Sequence, residues 1–75
     1  MQLIYEKYYK ILGQNILFYR KRKDLTQLQL CELADISRNH LSRIENADCA
    51  VSLDVVFAIA AALGVEPYKL FQEKD

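Results

Sequence analysis

The sequence is poor in residues that break helices and in residues that build disulfide or metal frameworks. It contains one Pro, two Gly, two Cys and no Trp among 75 residues. Two cysteines are too few for a secreted disulfide scaffold, and without a CxxC pair a zinc site would need Cys31, His40 and Cys49 alone. The helical pattern favours Cys31 as a small buried residue, whereas Cys49 has no assigned role. We therefore predict no metal and no cofactor.

The sequence also lacks long apolar runs. No stretch of about 18 apolar residues is available to cross a bilayer, and no cleavage site follows an apolar N-terminal segment. The 52 % hydrophobic content instead indicates a folded globule. At this length, folding buries roughly 60 to 65 % of the surface of the unfolded chain. We predict a single soluble, cytoplasmic domain over residues 1–75 that does not contact a membrane.

The chain has no net charge, but its charges are unevenly distributed. Residues 1–45 hold eight Lys and Arg against five Asp and Glu, whereas residues 46–75 hold two against five. The run RKRK, from Arg20 to Lys23, can therefore present a basic face to a polyanion. A solvated helix end, at which cations complement the helix dipole, explains the same run equally well. The two interpretations are compatible.

Apolar residues recur at steps of three and four in several segments, and no strand pattern is found, which predicts an all-α fold. The first helix is expected over about residues 3–22, with an apolar stripe formed by Ile4, Tyr8, Leu12, Ile16 and Tyr19. Gly13 interrupts this helix at a cost of about 1 kcal/mol relative to Ala and is a candidate position for a bend. Residues 1–11 are then an N-terminal arm ahead of the helix proper.

Capping residues set the boundaries of the next two helices. Thr26 is expected to cap the second helix. Its buried surface is predicted to come from Leu30, Cys31, Leu33 and Ala34. Ser37 is expected to cap a third helix over residues 38–46, after a turn so short that the two helices must cross steeply.

Two more helices are expected in the C-terminal part. Ser52 caps a fourth helix over residues 53–63, which is apolar around most of its circumference and ends at Gly64. Pro67 opens a short fifth helix that returns Leu70 and Phe71 to the core.

The segment LTQLQLCELADISRNHLSRIEN, residues 25–46, resembles the helix-turn-helix of the phage Cro and C1 repressor class, also called the xenobiotic-response-element class. LGQNILFYRKRK resembles the first helix of that family and SLDVVFAIAAALGVEPYKLF its fourth and fifth, so the resemblance covers residues 12–71. It implies a compact five-helix bundle with the helix-turn-helix at about residues 26–46, and double-stranded DNA as the partner. The residues in register are Thr26, Gln27, Leu30, Ile36, Ser37, Leu41, Ile44 and Glu45.

In that family the third helix lies in the major groove while the second crosses the DNA backbone. If Leu41 and Ile44 face the core, the polar residues of the third helix face outward. Arg can bond O6 and N7 of guanine, and Asn can bond N6 and N7 of adenine. His40 is equally well explained as an ordinary polar surface residue. The DNA-binding set that the resemblance implies is Thr26, Gln27, Ser37, Arg38, Asn39, His40, Ser42, Arg43 and Asn46.

The resemblance implies two further roles. Lys21, Arg22 and Lys23 would supply salt-sensitive attraction to the duplex rather than base contacts. Arg20 and Glu45 would form a partly buried structural ion pair, and breaking one side should then cost about 3 to 5 kcal/mol. Loss of either residue would abolish DNA binding by unfolding the domain.

The sequence departs from the family at three positions where glycine is favoured: Asp24, Asp35 and Ala47. Asp tolerates a left-handed backbone with modest strain, so the first two turns can be kept. Ala47 does so less easily, and the third helix is expected either to continue past Asn46 or to move its left-handed turn to Asp48. Asp48 also places an acid where relatives often carry a cation, which predicts moderate affinity.

The N-terminal arm suggests more apolar surface than a monomer of this size should expose, because it carries Tyr5, Tyr8 and Tyr9. In one interpretation the arm packs across its own bundle. In the other, the arm or the fifth helix forms a twofold dimer interface, as half-sites about 34 Å apart would require. We expect a homodimer.

We interpret the chain as a bacterial or phage DNA-binding transcriptional regulator that is sequence-specific and acts as a repressor. We predict that it is not an enzyme, because it has one His, no Ser or Cys nucleophile with a suitable base, and no glycine-rich phosphate loop. Two alternatives are an antitoxin or restriction-modification controller that also holds a protein partner, and a protein-interaction module that no longer reads DNA.

Overall fold

The computed structural model describes residues 4–74 and contains four α-helices followed by one 3₁₀ helix. The helices are α1 (Glu6–Arg22), α2 (Gln27–Ala34), α3 (Arg38–Glu45), α4 (Leu53–Leu63) and the 3₁₀ helix (Pro67–Phe71). No strand occurs in this described range, and the all-α prediction is confirmed. Within the same range no helix is long and apolar enough to span a bilayer. The predicted helix start at residue 3 lies outside the described residues.

The fifth helix of the predicted bundle is a 3₁₀ helix rather than an α-helix. It is only five residues long, and the Lys69 amide donates to the Glu66 carbonyl at 3.0 Å, a bond that spans three residues. So short a segment gains little from the wider α-helical turn, because nucleating an α-helix is costly. The description of the fold as five helices is therefore corrected to four α-helices and a 3₁₀ turn.

The helix starts lie where the capping residues predicted them. Thr26 forms a complete capping box: its hydroxyl accepts from the Gln29 amide at 3.1 Å, and the Gln29 side chain accepts from the Thr26 amide at 2.8 Å. The Ser37 hydroxyl accepts from the His40 amide at 3.0 Å, and the Ser52 hydroxyl caps α4 in the same way. The polar residues at these starts therefore satisfy backbone donors that a helix leaves unpaired.

All four α-helices end in a left-handed residue at a Schellman-type turn. The residues with positive φ are Asp24 (55°), Asp35 (57°), Ala47 (58°) and Gly64 (71°). The expectation for Ala47 was wrong, because α3 stops at Glu45 and Ala47 itself takes the left-handed conformation. Two bonds hold it there: the Ala47 amide donates to the Ile44 carbonyl at 3.1 Å, and the amide of Asp48 donates to the Arg43 carbonyl at 2.8 Å. An alanine in this conformation is strained by about 1 to 2 kcal/mol.

Gly13 allows a close approach between helices. The helix α1 runs without a break from Glu6 to Arg22, so the expected bend is not present. A Cβ atom on Gly13 would lie 2.6 Å from the Ile44 carbonyl oxygen and 2.7 Å from the Glu45 carbonyl oxygen. These distances are too short for any side chain, so glycine is what lets α1 pack directly against the end of α3.

The core is formed by one stripe from each helix. Its fully buried members are Ile16, Leu30, Leu41, Ile44, Val56, Ile59, Leu63 and Leu70. Cys31 is buried as predicted, but Leu33 is 61 % exposed, because it lies off the stripe that Leu30 and Ala34 share on α2. Phe71 is 47 % exposed, because in a 3₁₀ helix it lies a third of a turn from the buried Leu70.

Asn15 is a buried polar residue that the sequence pattern did not identify. Its side-chain amide donates to the carbonyl of Leu70 at 2.9 Å and to that of Gln72 at 2.8 Å. In the same region the Lys74 ammonium lies 4.2 Å from the centroid of the Phe18 ring. The hydrogen bonds of Asn15 therefore hold residues 70–72 against α1. No buried side-chain nitrogen or oxygen in residues 4–74 lacks a hydrogen-bond partner.

Candidate nucleic-acid interface

The helices α2 and α3 are joined by only three residues, which form a turn between them. Ala34 ends α2, Asp35 reverses the chain with its positive φ, and Ser37 caps α3. Ile36 is half-buried and packs against the core beneath the turn. Both ends of this short connection are fixed by backbone bonds, so the orientation of α3 is set by the packing of α2 and the core.

The helix α3 has one buried face and one polar face. Leu41 and Ile44 are fully buried. At about 100° per residue, the polar side chains at positions 38, 39, 42 and 43 and the cap at position 46 share the opposite side. Of these, Arg38, Asn39, Arg43 and Asn46 are exposed and Ser42 is half-buried. We call this set the outward face of α3.

His40 does not belong to the outward face. Helical geometry places it about 130° from the centre of that face, and it is half-buried. Its backbone amide donates to the Ser37 hydroxyl. The geometry therefore favours the interpretation of His40 as a flanking polar residue over that of a base-reading one.

The orientation of α3 is braced by a polar network that joins three helices. Arg20 of α1 donates from Nε to Oε2 of Glu45 at 2.8 Å and from a terminal nitrogen to Oε1 at 3.2 Å. The Gln27 side chain of α2 donates to the same Oε1 at 2.9 Å, and Arg20 also donates to the Leu25 carbonyl at 2.9 Å. The Arg20 and Glu45 side chains are 11 % and 5 % exposed, so the predicted ion pair is present and nearly buried. A paired, bidentate carboxylate in this position is rigid.

Two of the predicted contact residues already serve as helix caps. The hydroxyl oxygens of Thr26 and Ser37 accept from backbone amides at the starts of α2 and α3. Each hydroxyl still has one hydrogen to donate, because a hydroxyl is both donor and acceptor. Both side chains are exposed, so that hydrogen is accessible to an anion.

The cations near the interface have structural contacts of their own. Arg43 donates from its guanidinium to the Asp48 carbonyl at 3.3 Å, which draws this side chain toward the turn after α3. Lys23 Nζ lies 3.1 Å from where a Cβ on Gly64 would be, at the C-terminal end of α4. Lys23 thereby lies near the negative end of the α4 dipole, whereas the helix-end interpretation of the basic run concerns the helix α1 that carries it. Arg22 lies 5.6 Å from the centroid of the Phe18 ring, and Lys21 is exposed.

Both cysteines are buried, and neither lies in a metal site in the described part of the chain. Within residues 4–74 no group of three His, Cys, Asp or Glu side chains is placed to hold a metal ion. Burial, with a smaller contribution from the nearby Glu45 carboxylate, raises the pKa of the Cys31 thiol. A thiol with a raised pKa is less nucleophilic at neutral pH, so Cys31 contributes packing rather than reactivity.

The fold and the α2–turn–α3 geometry define a helix-turn-helix protein. A family model described as helix-turn-helix matches residues 16–70. The chain therefore belongs to the helix-turn-helix family, and its predicted resemblance to the Cro/C1-type class is confirmed.

Known proteins with similar sequences include an immunity repressor and an antitoxin. The chain is 44 % identical over 55 residues to the immunity repressor protein of Bacillus phage phi105, a match that covers 73 % of this chain and 38 % of the relative. It is 42 % identical over 55 residues to the antitoxin PezA of Streptococcus pneumoniae, covering 73 % of this chain and 35 % of the relative. The matched region thus spans little more than a third of these two proteins.

A solved structure with the same fold is that of the restriction-modification controller protein C.AhdI from Aeromonas hydrophila. It superposes with a TM-score of 0.82 and 32 % sequence identity, and the match covers 84 % of this chain and 96 % of that chain. The helix arrangement described above is therefore that of a solved member of the family.

Proposed function

We propose that this protein is a sequence-specific, double-stranded DNA-binding transcriptional regulator that acts as a repressor. The observation that carries the proposal is the outward face of α3, whose Arg38, Asn39 and Arg43 side chains are exposed on a helix braced at its far end by Glu45. Arg and Asn are the side chains that discriminate guanine and adenine by bidentate hydrogen bonds. The family membership and the relative named as a repressor support the same function.

In the proposed complex α3 lies in the major groove and presents Arg38 and Asn39, near its N-terminus, to base edges. Ser42 and Arg43, one turn further along, extend the contact along the groove. Phosphates are met by groups at the start of α2, where the Gln27 backbone amide lies at a positive helix end, and by the hydroxyls of Thr26 and Ser37. Asn46 contacts a further phosphate, and Lys21, Arg22 and Lys23 add a salt-sensitive attraction.

We further propose that two copies bind together as a homodimer. Each α3 is only eight residues long and reaches a few base pairs, so a single copy reads too little sequence to select an operator. Two copies related by a twofold axis would read a palindrome with half-sites about 34 Å apart.

The experiment that tests the DNA reading is selection of bound sequences from a random duplex pool, first with the parent and then with variants. We expect a palindromic consensus. Arg38→Ala and Asn39→Ala should each relax one position of every half-site, a loss of about 1 to 3 kcal/mol in discrimination, with an unchanged melting temperature. Lys21→Ala should instead weaken binding to all sequences and reduce the salt dependence by about one counterion.

The matched control is Lys69→Ala, which removes an exposed cation of the 3₁₀ helix outside the proposed site. It should leave the selected consensus unchanged. Absence of binding at low salt, or binding that does not respond to salt, would refute the function. A consensus that Arg38→Ala and Asn39→Ala leave intact would refute the assigned face.

A restriction-modification controller is the second candidate, favoured by the match to 96 % of C.AhdI. Both candidates bind DNA with the same face, so the distinction lies in which site is occupied in the cell. Sequencing the genomic fragments retained by the protein distinguishes them. A fragment upstream of a restriction endonuclease gene supports the controller, and one upstream of an unrelated operon supports a repressor of that operon.

A further inference from the structure

The N-terminal part of α1 forms an apolar groove with the start of α4 and the end of the 3₁₀ helix. We call it the arm groove; it is lined chiefly by Tyr5, Tyr8, Tyr9, Val51, Leu53 and Phe71. Tyr9 packs against the core, but Tyr5 and Tyr8 are 64 % and 58 % exposed, so the arm leaves the groove open. Residues 6–11 continue α1 as a rigid helix, so the groove has fixed walls.

The exposed apolar area of the arm groove suits a protein interface. Leu53 is 63 % exposed and Phe71 is 47 % exposed, in addition to the two tyrosines. If a large side chain has about 200 Å² of surface, these four together expose roughly 500 Å². Two such patches facing each other would bury roughly 1,000 Å², which is about the minimum for a specific interface. Ile4, which precedes Tyr5 in the chain, is 89 % exposed as well.

The lining of the arm groove favours a second copy of this chain over a strongly charged partner, because none of the described residues that line it is charged. Glu6, Lys7, Lys10 and Glu73 lie around a separate hollow on the other side of α1, where Glu6 pairs with Lys10 at 3.2 Å and Lys7 with Glu73 at 3.5 Å. An uncharged lining has no field that would attract an acidic or basic protein, and it can meet its own image without like-charge repulsion.

The dimensions of the domain agree with this arrangement. Its principal extents are 30 × 27 × 19 Å. Two copies in side-by-side contact along the longest axis would have centres about 30 Å apart, which is of the same order as one turn of DNA at about 34 Å. We propose that the arm groove is the twofold interface between two copies of this chain. The choice of partner rests on the proposed reading of paired half-sites, but the test of the surface does not require DNA.

The test is sedimentation equilibrium of the parent and of charge variants, without DNA. Leu53→Glu and Tyr8→Glu should each weaken self-association at least about thirtyfold, because every substitution enters a twofold interface twice. The matched control is Leu28→Glu: Leu28 is a leucine that is 55 % exposed in the first turn of α2, as Leu53 is in the first turn of α4. A glutamate suits both positions, because it complements the helix dipole.

Circular dichroism establishes that each variant is folded, and a single half-site duplex then reports DNA binding. We expect Leu53→Glu to remain folded, to bind one half-site as the parent does, and to lose the tighter binding to the palindrome. A parent that is monomeric at about 100 μM overturns the proposal, as do two variants that dimerise like the parent or a Leu28→Glu control that dissociates equally. Self-association that is lost in both variants, in a parent that binds no DNA, would uphold the arm groove and refute the proposed function.

Discussion

Replacing Gly13 by alanine separates two opposing effects on the stability of the domain. Gly13 lies in the interior of α1, where alanine is intrinsically favoured over glycine by about 1 kcal/mol. Local propensity alone therefore predicts a more stable protein. The packing predicts the opposite, because the new Cβ would lie 2.6 Å from the Ile44 carbonyl oxygen and 2.7 Å from the Glu45 carbonyl oxygen.

The packing effect should dominate. Both obstacles are backbone atoms, so relief requires α1 and α3 to move apart by most of an ångström, which loosens the core around Ile16 and Ile44. Overpacking of this kind costs about 1 to 3 kcal/mol, and contacts this short lie at the upper end. After the gain in helix propensity we expect a net loss of about 2 kcal/mol and a Tm lower by roughly 10 °C.

Thermal and urea unfolding followed by circular dichroism measure this change directly. Gln14→Ala is the control, because Gln14 is the exposed neighbour on the same helix and its replacement should change stability by less than about 0.5 kcal/mol. A Gly13→Ala protein as stable as the parent would show that α1 and α3 do not approach as described. The variant should also bind DNA less tightly than its lost stability explains, because the displaced residues belong to α3.

Three further predictions concern the turns and the buried polar groups. Ala47→Gly should raise the free energy of unfolding by about 1 kcal/mol, because glycine relieves the left-handed strain at this position. Ala61→Gly, at an exposed position within α4, should lower it by about as much. If urea unfolding shows that both variants change the stability in the same direction, the turn geometry at Ala47 is contradicted. Asn15→Ala should lower the free energy of unfolding by about 2 kcal/mol, because the Leu70 and Gln72 carbonyls lose their side-chain donor. An unchanged midpoint of urea unfolding would refute this stabilising role of Asn15. Arg20→Ala and Glu45→Ala should each cost about 3 to 5 kcal/mol, and the double variant less than their sum; strict additivity in a double-mutant cycle would show that the pair does not interact.

Features decided within a few residues could be predicted from the sequence. The caps Thr26, Ser37 and Ser52 depend only on a hydroxyl and an amide nearby, so they were predicted correctly. The roles of Gly13 and Asn15 depend on which helix lies opposite, and nothing in the local pattern contains that information. Ala47 was mispredicted because intrinsic preference disfavours its conformation, whereas the two hydrogen bonds of the turn compensate for the strain.

Some features of the candidate site could likewise be predicted from the sequence, and others could not. The outward face of α3 followed from helical periodicity, since Leu41 and Ile44 set which side is buried, and the Arg20–Glu45 pair followed from the family resemblance. The individual DNA contacts stay predictions. The contacts of Lys23 at the end of α4 and of Arg43 with the turn after α3 could not be predicted, because each joins an exposed side chain to a backbone position fixed only by the tertiary fold.

The bonds made by Asn15 also bear on how the protein is synthesised. Its amide binds carbonyls 55 and 57 residues further along the chain, so α1 is translated first but completes its contacts last. At about 5 to 20 residues per second, the apolar stripe of α1 waits roughly 3 to 11 seconds for the residues that cover it. The nascent chain is thus exposed to chaperones for that interval. The domain can complete its contacts with α1 only after the segment that Asn15 binds has left the ribosome.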